Sequence, residues 1–193
     1  MTLVLASRSP QRREILRQLG VEFVERPVDV VEEDDGVPEV VAGENALRKA
    51  VAAGAGEGEI VLGVDTLVAT ELEIWGKPPN AAAAAETLRR LSGRTHRVVS
   101  GVALMRASGD VQAATATTEV TFRTIDDALL EWYVACGEWQ GRAGGYAIQG
   151  RGAALVTGIE GDYLNVVGLP VAALLELWPG LMRDFGSVGR ASG

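Results

Sequence analysis

Short apolar runs and stretches of helical period alternate from the start of the chain. Leu3 to Ala6 has the length of a buried strand and stops at the polar segment Ser7-Arg8-Ser9-Pro10. Ser9 followed by Pro10 is a helix start, a hydroxyl at the cap with proline at the first helical position. Ile15, Leu16 and Leu19 then repeat at helical spacing until Gly20. Val21 to Val24 predicts a second strand, and Pro27 to Pro38 an acidic, turn-rich loop with Asp29, Glu32, Glu33, Asp34 and Asp35. Glu39 to Ala53 predicts a helix, ended by the glycine-rich Gly54 to Gly58.

Ile60 to Val64 is an apolar run that meets Asp65 before apolar character resumes at Leu67 and Val68, and a charge inside such a run needs a reason. Asn80 to Leu91 has an Asn cap, an alanine run and Arg89-Arg90 at the end where cations complement the helix dipole. Thr95 to Thr124 reads as an antiparallel hairpin of two long strands turning at Ser108-Gly109-Asp110. Asp126 to Ala135 predicts a helix. Gly137 to Gly152 holds six glycines in sixteen residues, too many for plain core. Ala153 to Val167 predicts two short strands around Gly161-Asp162, and Pro170 to Trp178 a last helix, with a frayed tail after Gly180. A single domain over 1–183 and a flexible tail over 184–193 are expected.

Composition narrows the function. The chain has 193 residues, 47% of them apolar, enough for one substantial core. With 18 Lys+Arg against 26 Asp+Glu the formal charge is −8, a field that repels nucleic acid and argues against bulk binding to it. One cysteine and one histidine exclude an internal disulfide and a multi-histidine metal site. No signal-peptide pattern opens the sequence, and Val166 to Leu175, broken by Gly168 and Pro170, is too short to span a bilayer. A soluble cytoplasmic protein without membrane partners is the expectation.

Three polar clusters interrupt core-like segments: Ser7 to Arg13, Asp65-Thr66 and Gly76-Lys77-Pro78. A strand end followed by a helix start is a natural anion site, because free N–H groups and the helix dipole face outward there. Ser7 and Ser9 hydroxyls, Arg12 or Arg13 and Lys77 suit a polyphosphate. Asp65 with Glu32 suits Mg²⁺, which takes one or two carboxylates beside phosphate oxygens and water. Bland readings stand beside these: Arg12 and Arg13 as solvated helix residues, Asp65 as a turn residue, and Lys49, Lys77 and Glu32 as ordinary surface. His96 forms no nucleophile-elbow pattern with any serine, and the glycine-rich loop holds no Walker motif.

Leu5 to Arg13, Gly63-Val64-Asp65-Thr66, Gly76-Lys77-Pro78, Leu91 to His96, Gly144 to Gly150 and Val166 to Pro170 follow one another in the order of a known set of motifs. In these blocks the chain resembles the Maf nucleoside triphosphate pyrophosphatases over nearly its whole length. The resemblance implies an α/β fold with a long mixed β-sheet flanked by helices and two lobes around a deep cleft, similar to the inosine triphosphate pyrophosphatases. It implies hydrolysis of a nucleoside triphosphate to monophosphate and pyrophosphate with a divalent metal, Mg²⁺ or Mn²⁺. Asp65 matches the family's proton acceptor, and Ser7, Arg12, Arg13, Glu32, Lys49 and Lys77 match polar cleft residues. The acidic loop has Val31 where relatives often carry an additional acid, so one metal-side carboxylate differs. Family members are often dimers, which makes a homodimer an expectation.

Three positions carry the family's base choice. Thr66 and Gln149 match the branch acting on dTTP and UTP, while Gln11 departs both from that branch's usual arginine and from the aromatic of the branch acting on 7-methyl-GTP. An amide can bond a base edge but brings no charge and little stacking area, so a pyrimidine preference with some broadening is expected. Two competing readings are a non-catalytic nucleotide-binding regulator of division and a nucleotidyltransferase. The retained Asp65 speaks against the first, and the lack of a glycine-rich loop near the first strand against the second.

Overall fold

The structure, a computed structural model, describes residues 1–71 and 73–186. In chain order its strands are β1 (Thr2–Leu5), β2 (Val24–Glu25), β3 (Glu59–Ala69), β4 (Ile74–Trp75), β5 (Thr95–Arg106), β6 (Val111–Phe122) and β7 (Val156–Glu160). The helices are α1 (Pro10–Gln18), α2 (Pro38–Ala53), α3 (Ala81–Leu91), α4 (Asp127–Ala135), α5 (Tyr163–Val167), α6 (Val171–Leu177) and α7 (Leu181–Phe185). Among the described residues these strands form one mixed sheet in the order β2-β1-β3-β5-β6-β7, with β4 pairing β3. β1 runs parallel to both β2 and β3, and the remaining pairs are antiparallel. The fold is α/β, a long mixed sheet flanked by helices.

Strand alternation divides the core by face. Even-numbered residues of β3 and β5 face two apolar clusters. One joins Ile60, Leu62, Val64, Val102 and Leu104 to α1, α6 and α7; the other joins Val68 and Val98 to α3, α4 and the glycine-rich loop. Thr66 and Ser100 lie on this face between the clusters and pair directly across β3 and β5, so a polar seam separates two lobes. Odd-numbered residues face α2. That helix sits directly on the strands because Gly63 and Gly101 carry no side chain: a Cβ there would collide with the carbonyls of Ala46 and Ala42.

Three sequence expectations fall differently. The second strand is only Val24–Glu25, with Val21 in an isolated bridge to Gly186. Residues 163–167 form helix rather than strand because the Asp162 carboxylate caps the Leu164 N–H at 2.8 Å after the left-handed turn at Gly161. The chain after Gly180 does not fray at once: Leu181 and Phe185 are buried, and Phe185 meets Trp178 edge-on at 5.1 Å. Residues 187–193 of the expected tail lie outside the described residues.

Candidate active site

β3 outruns its neighbour. β1 pairs with it only as far as Leu62, and β4 takes up the pairing at Val68, so 63–67 lose their partner on one edge while β5 holds the other. Asp65 and Thr66 fall inside this gap. The carboxyl end of β1 and the start of α1 close it from one side, the position where open α/β sheets bind ligands. The result is a cleft of about 420 Å³, and Ser7, Ser9, Gln11, Arg12, Glu32, Lys49, Asp65, Thr66, Lys77 and Gln149 all line it.

On the odd face Asp65 meets α2. Its side chain is almost wholly buried, and Lys49 Nζ donates to Oδ1 at 2.6 Å while Asn45 Nδ2 donates to Oδ2 at 3.0 Å. Lys49 and Asn45 are four residues apart and therefore share one side of the helix. The Lys49 ammonium also reaches Glu32 Oε1 at 2.6 Å and the Val64 carbonyl at 3.4 Å. One buried cation thus bridges the two carboxylates, with the more exposed Lys77 at 4.0 Å from the far oxygen of Glu32.

On the even face Arg12 spans the seam. Its Nε donates to the Gly168 carbonyl at 2.9 Å, Nη1 to Ser7 Oγ at 2.9 Å and Nη2 to Thr66 Oγ1 at 3.2 Å. Thr66 Oγ1 shares a further bond with Ser100 Oγ at 2.9 Å. Burial lowers the Arg12 pKa, and the charges of Asp65 and Glu32 oppose that shift. A guanidinium has five N–H donors, so two remain after these contacts.

Ser9 stands at the cap position of α1, but its hydroxyl bonds Gln11 Oε1 at 3.0 Å instead of a backbone N–H. The first N–H groups of the helix keep no side-chain cap. Arg13 is not among the residues lining the cleft. Adjacent helical positions point about 100° apart, and Arg13 turns to Glu25 at 3.0 Å beside a neighbouring groove. Gln11 and Gln149 line both cavities. His96 belongs to the second lobe: Nε2 lies 2.9 Å from Tyr146 Oη, Phe122 packs edge-on at 4.7 Å, and burial pushes the pKa down to about 4.

Sequence reasoning missed Asn45 and Ser100. Each is a polar residue in an apolar setting, Asn45 on the stripe of Val41, Ala42, Ala46 and Ala50, and Ser100 in the run from Val98 to Val102. Full burial gives both their meaning, because a polar group without water needs a protein partner.

Residues 2–180 match the model of the family described as Maf-like protein. The chain belongs to the Maf family. Among relatives of this Maf chain, a protein of Moorella thermoacetica named dTTP/UTP pyrophosphatase is 50% identical over 91% of this chain and 92% of its own length. One of Pyrococcus furiosus with the same name is 40% identical over 91% and 93%. The solved structure of a HAM1 protein from Coxiella burnetii superposes with a TM-score of 0.51 at 19% identity, covering 95% of the Maf chain and all of the other, a likeness of fold.

Proposed function

We propose that this Maf chain hydrolyses nucleoside triphosphates, dTTP and UTP foremost, to the monophosphate and pyrophosphate in the cytoplasm, as one catalytic unit that runs through the buried Phe185. The observation that carries the reading is a buried carboxylate, Asp65, fixed from both oxygens by Lys49 and Asn45 at the base of a cleft with Arg12 and Lys77 on its walls. The names and extent of the relatives support the substrate class.

Water attacks the α-phosphorus in line, and the bond to the oxygen bridging the α- and β-phosphates breaks so that pyrophosphate leaves. Asp65 orients the water and takes its proton. Arg12, Lys77, Ser7, Ser9 and the uncapped N–H groups of α1 hold phosphate oxygens, where charge-assisted bonds are strongest. Arg13, paired with Glu25, acts from outside the cleft. Thr66, Gln11 and Gln149 face the base.

The donor set suits a divalent ion. Among the described residues no cluster of three or more His, Cys, Asp or Glu makes a protein cage. Glu32 and Asp65 converge on one nitrogen, and such a carboxylate pair leaves the other coordination positions to phosphate and water, as Mg²⁺ prefers. Bound there, the ion supplies positive charge against the negative charge that develops on the polyphosphate.

The test is incubation of the purified protein with Mg²⁺ or Mn²⁺ and a panel of canonical and modified nucleoside triphosphates. Equal release of pyrophosphate and monophosphate, greatest with dTTP or UTP, is the expected result. Release of orthophosphate instead, or no turnover by the folded protein, overturns the reading. A tenfold preference for 7-methyl-GTP over UTP would overturn the base assignment alone.

A further inference from the structure

Asn45 holds two parts of the site at once. The side chain is fully buried in the middle of α2, and its three hydrogen bonds go to two places. Its Oδ1 accepts the Glu33 N–H at 2.9 Å, and its Nδ2 donates to the Glu33 carbonyl at 2.9 Å and to Asp65 Oδ2 at 3.0 Å. The first two bonds pair the side-chain amide with one residue's peptide groups, donor to acceptor and acceptor to donor. The third reaches the carboxylate in the gap of β3.

The arrangement defines the orientation of the amide. Turned over, its oxygen would face a carbonyl and a carboxylate oxygen, and its nitrogen would face an N–H, so all three contacts would become like against like. Aspartate would keep the bond from the Glu33 N–H but set a second carboxylate against Asp65, and leucine of similar shape would keep none. Glu33 adjoins Glu32, whose carboxylate closes on Lys49. Beside the Lys49–Glu32 bridge, the acidic loop is tied to α2 here by exposed pairs such as Glu33–Arg48, contacts worth little.

We infer that Asn45 is a positioning residue that locks the acidic loop bearing Glu32 to the proton acceptor Asp65, so that the two carboxylates meet substrate and metal as one unit. The inference rests on the pyrophosphatase reading, and its test separates the two. Asn45→Leu and Asn45→Ala are compared with the unchanged protein in steady-state dTTP hydrolysis across a Mn²⁺ titration, in thermal melting, and in amide hydrogen exchange at Glu33. The expected result is kcat lower by ~10-fold or more and a raised Mn²⁺ half-saturation, the scale typical of residues that orient metal-side groups. KM for dTTP changes less, and Glu33 exchanges faster in both folded variants. A folded variant with unchanged kcat and Mn²⁺ half-saturation overturns the inference, as does a lower melting temperature as the sole change. If the unchanged protein turns over no nucleotide, the pyrophosphatase reading fails by itself. Glu33 exchange and direct Mn²⁺ binding then decide the lock: unchanged values in the variants overturn it, and faster exchange with weaker binding supports it.

Discussion

Asp65 and Thr66 are neighbours on one strand, yet they build different kinds of site. Alternation turns Asp65 toward α2 and Thr66 toward the seam between the lobes. On the α2 side the partners are charged: one ammonium between two carboxylates, steadied by an amide. On the seam side one buried guanidinium is spread over two hydroxyls and a carbonyl, with Ser100 behind them. The first arrangement keeps a carboxylate at a fixed place. The second joins α1, β3 and the turn at Gly168 across the boundary between two apolar clusters. A strand edge left open between β1 and β4 exposes both to the same cleft, so a charged arrangement and a hydroxyl–guanidinium arrangement are separated by a single peptide bond.

That division is broken most directly at Asp65. Asp65→Asn keeps the shape and removes the proposed proton acceptor, and turnover is expected to fall by ~10³-fold, within the range for loss of a general base. Nucleotide binding, followed by calorimetry, should change by no more than a few-fold. Normal turnover in this variant would remove the chemistry from the α2 side altogether. Lys49→Met is the next largest effect. It leaves Asp65 buried and Glu32 beside it without their shared cation, and loss of one partner of a buried pair costs about 3 kcal/mol. Urea unfolding at pH 7 measures this; a change below about 1 kcal/mol would mark the bridge as an ordinary surface pair.

The elements around this site were legible because their signals are local. Pro10 and the Ser9 position gave α1, and the Asn80 cap gave α3, where Oδ1 does accept the Ala83 N–H at 2.9 Å. The alternation from Thr95 onward gave the long hairpin. What stayed hidden depends on contacts distant in sequence. Arg12 and Arg13 look equivalent in the chain, and only the direction of the helix sends one into the seam and the other to Glu25. Asn45 looks like an ordinary polar residue until Gly63 and Gly101 let α2 settle onto the sheet and bury it. Phe185 was lost in a polar tail because its partner, Trp178, lies beyond a Pro-Gly turn. The motif resemblance pointed to Asp65, Lys49 and Arg12, which the fold brings to one cleft, but no pattern shows which atoms hold a carboxylate still.

Another buried polar group, His96, sharpens the contrast because it lies outside the cleft, packed on Phe122 and Tyr146 in the second lobe. Burial lowers its pKa to about 4, below the value near 6.5 of an unfolded chain. The unfolded state therefore binds the extra proton first as pH falls. The contribution to stability is full above about pH 6.5 and is lost as the pH drops toward 4. At pH 5 the loss relative to pH 7 is about 2 kcal/mol, and His96→Gln should remove this component from urea unfolding compared at the two pH values. An unchanged pH dependence in that variant would show that the second lobe does not hold the imidazole neutral.

The smallest effect on catalysis is expected at Thr66, and it decides whether the two faces are separable. Thr66→Val keeps the branched shape and removes Oγ1, so Arg12 Nη2, Ser100 Oγ and, at 3.4 Å, the Gly168 carbonyl each lose a partner, while Arg12 keeps Ser7 and the Gly168 carbonyl. Each lost hydrogen bond of this kind costs about 1 kcal/mol, a loss that urea unfolding resolves. Because the guanidinium stays anchored at two points, the variant should show KM for dTTP raised a few-fold with kcat nearly retained, the pattern of lost uniform binding. The Asp65→Asn variant should show the opposite division, with kcat reduced and binding kept. If Thr66→Val instead lowered kcat as far as Asp65→Asn does, the seam would be part of the proton-transfer apparatus. The alternation of one strand would then no longer explain how the cleft divides its work.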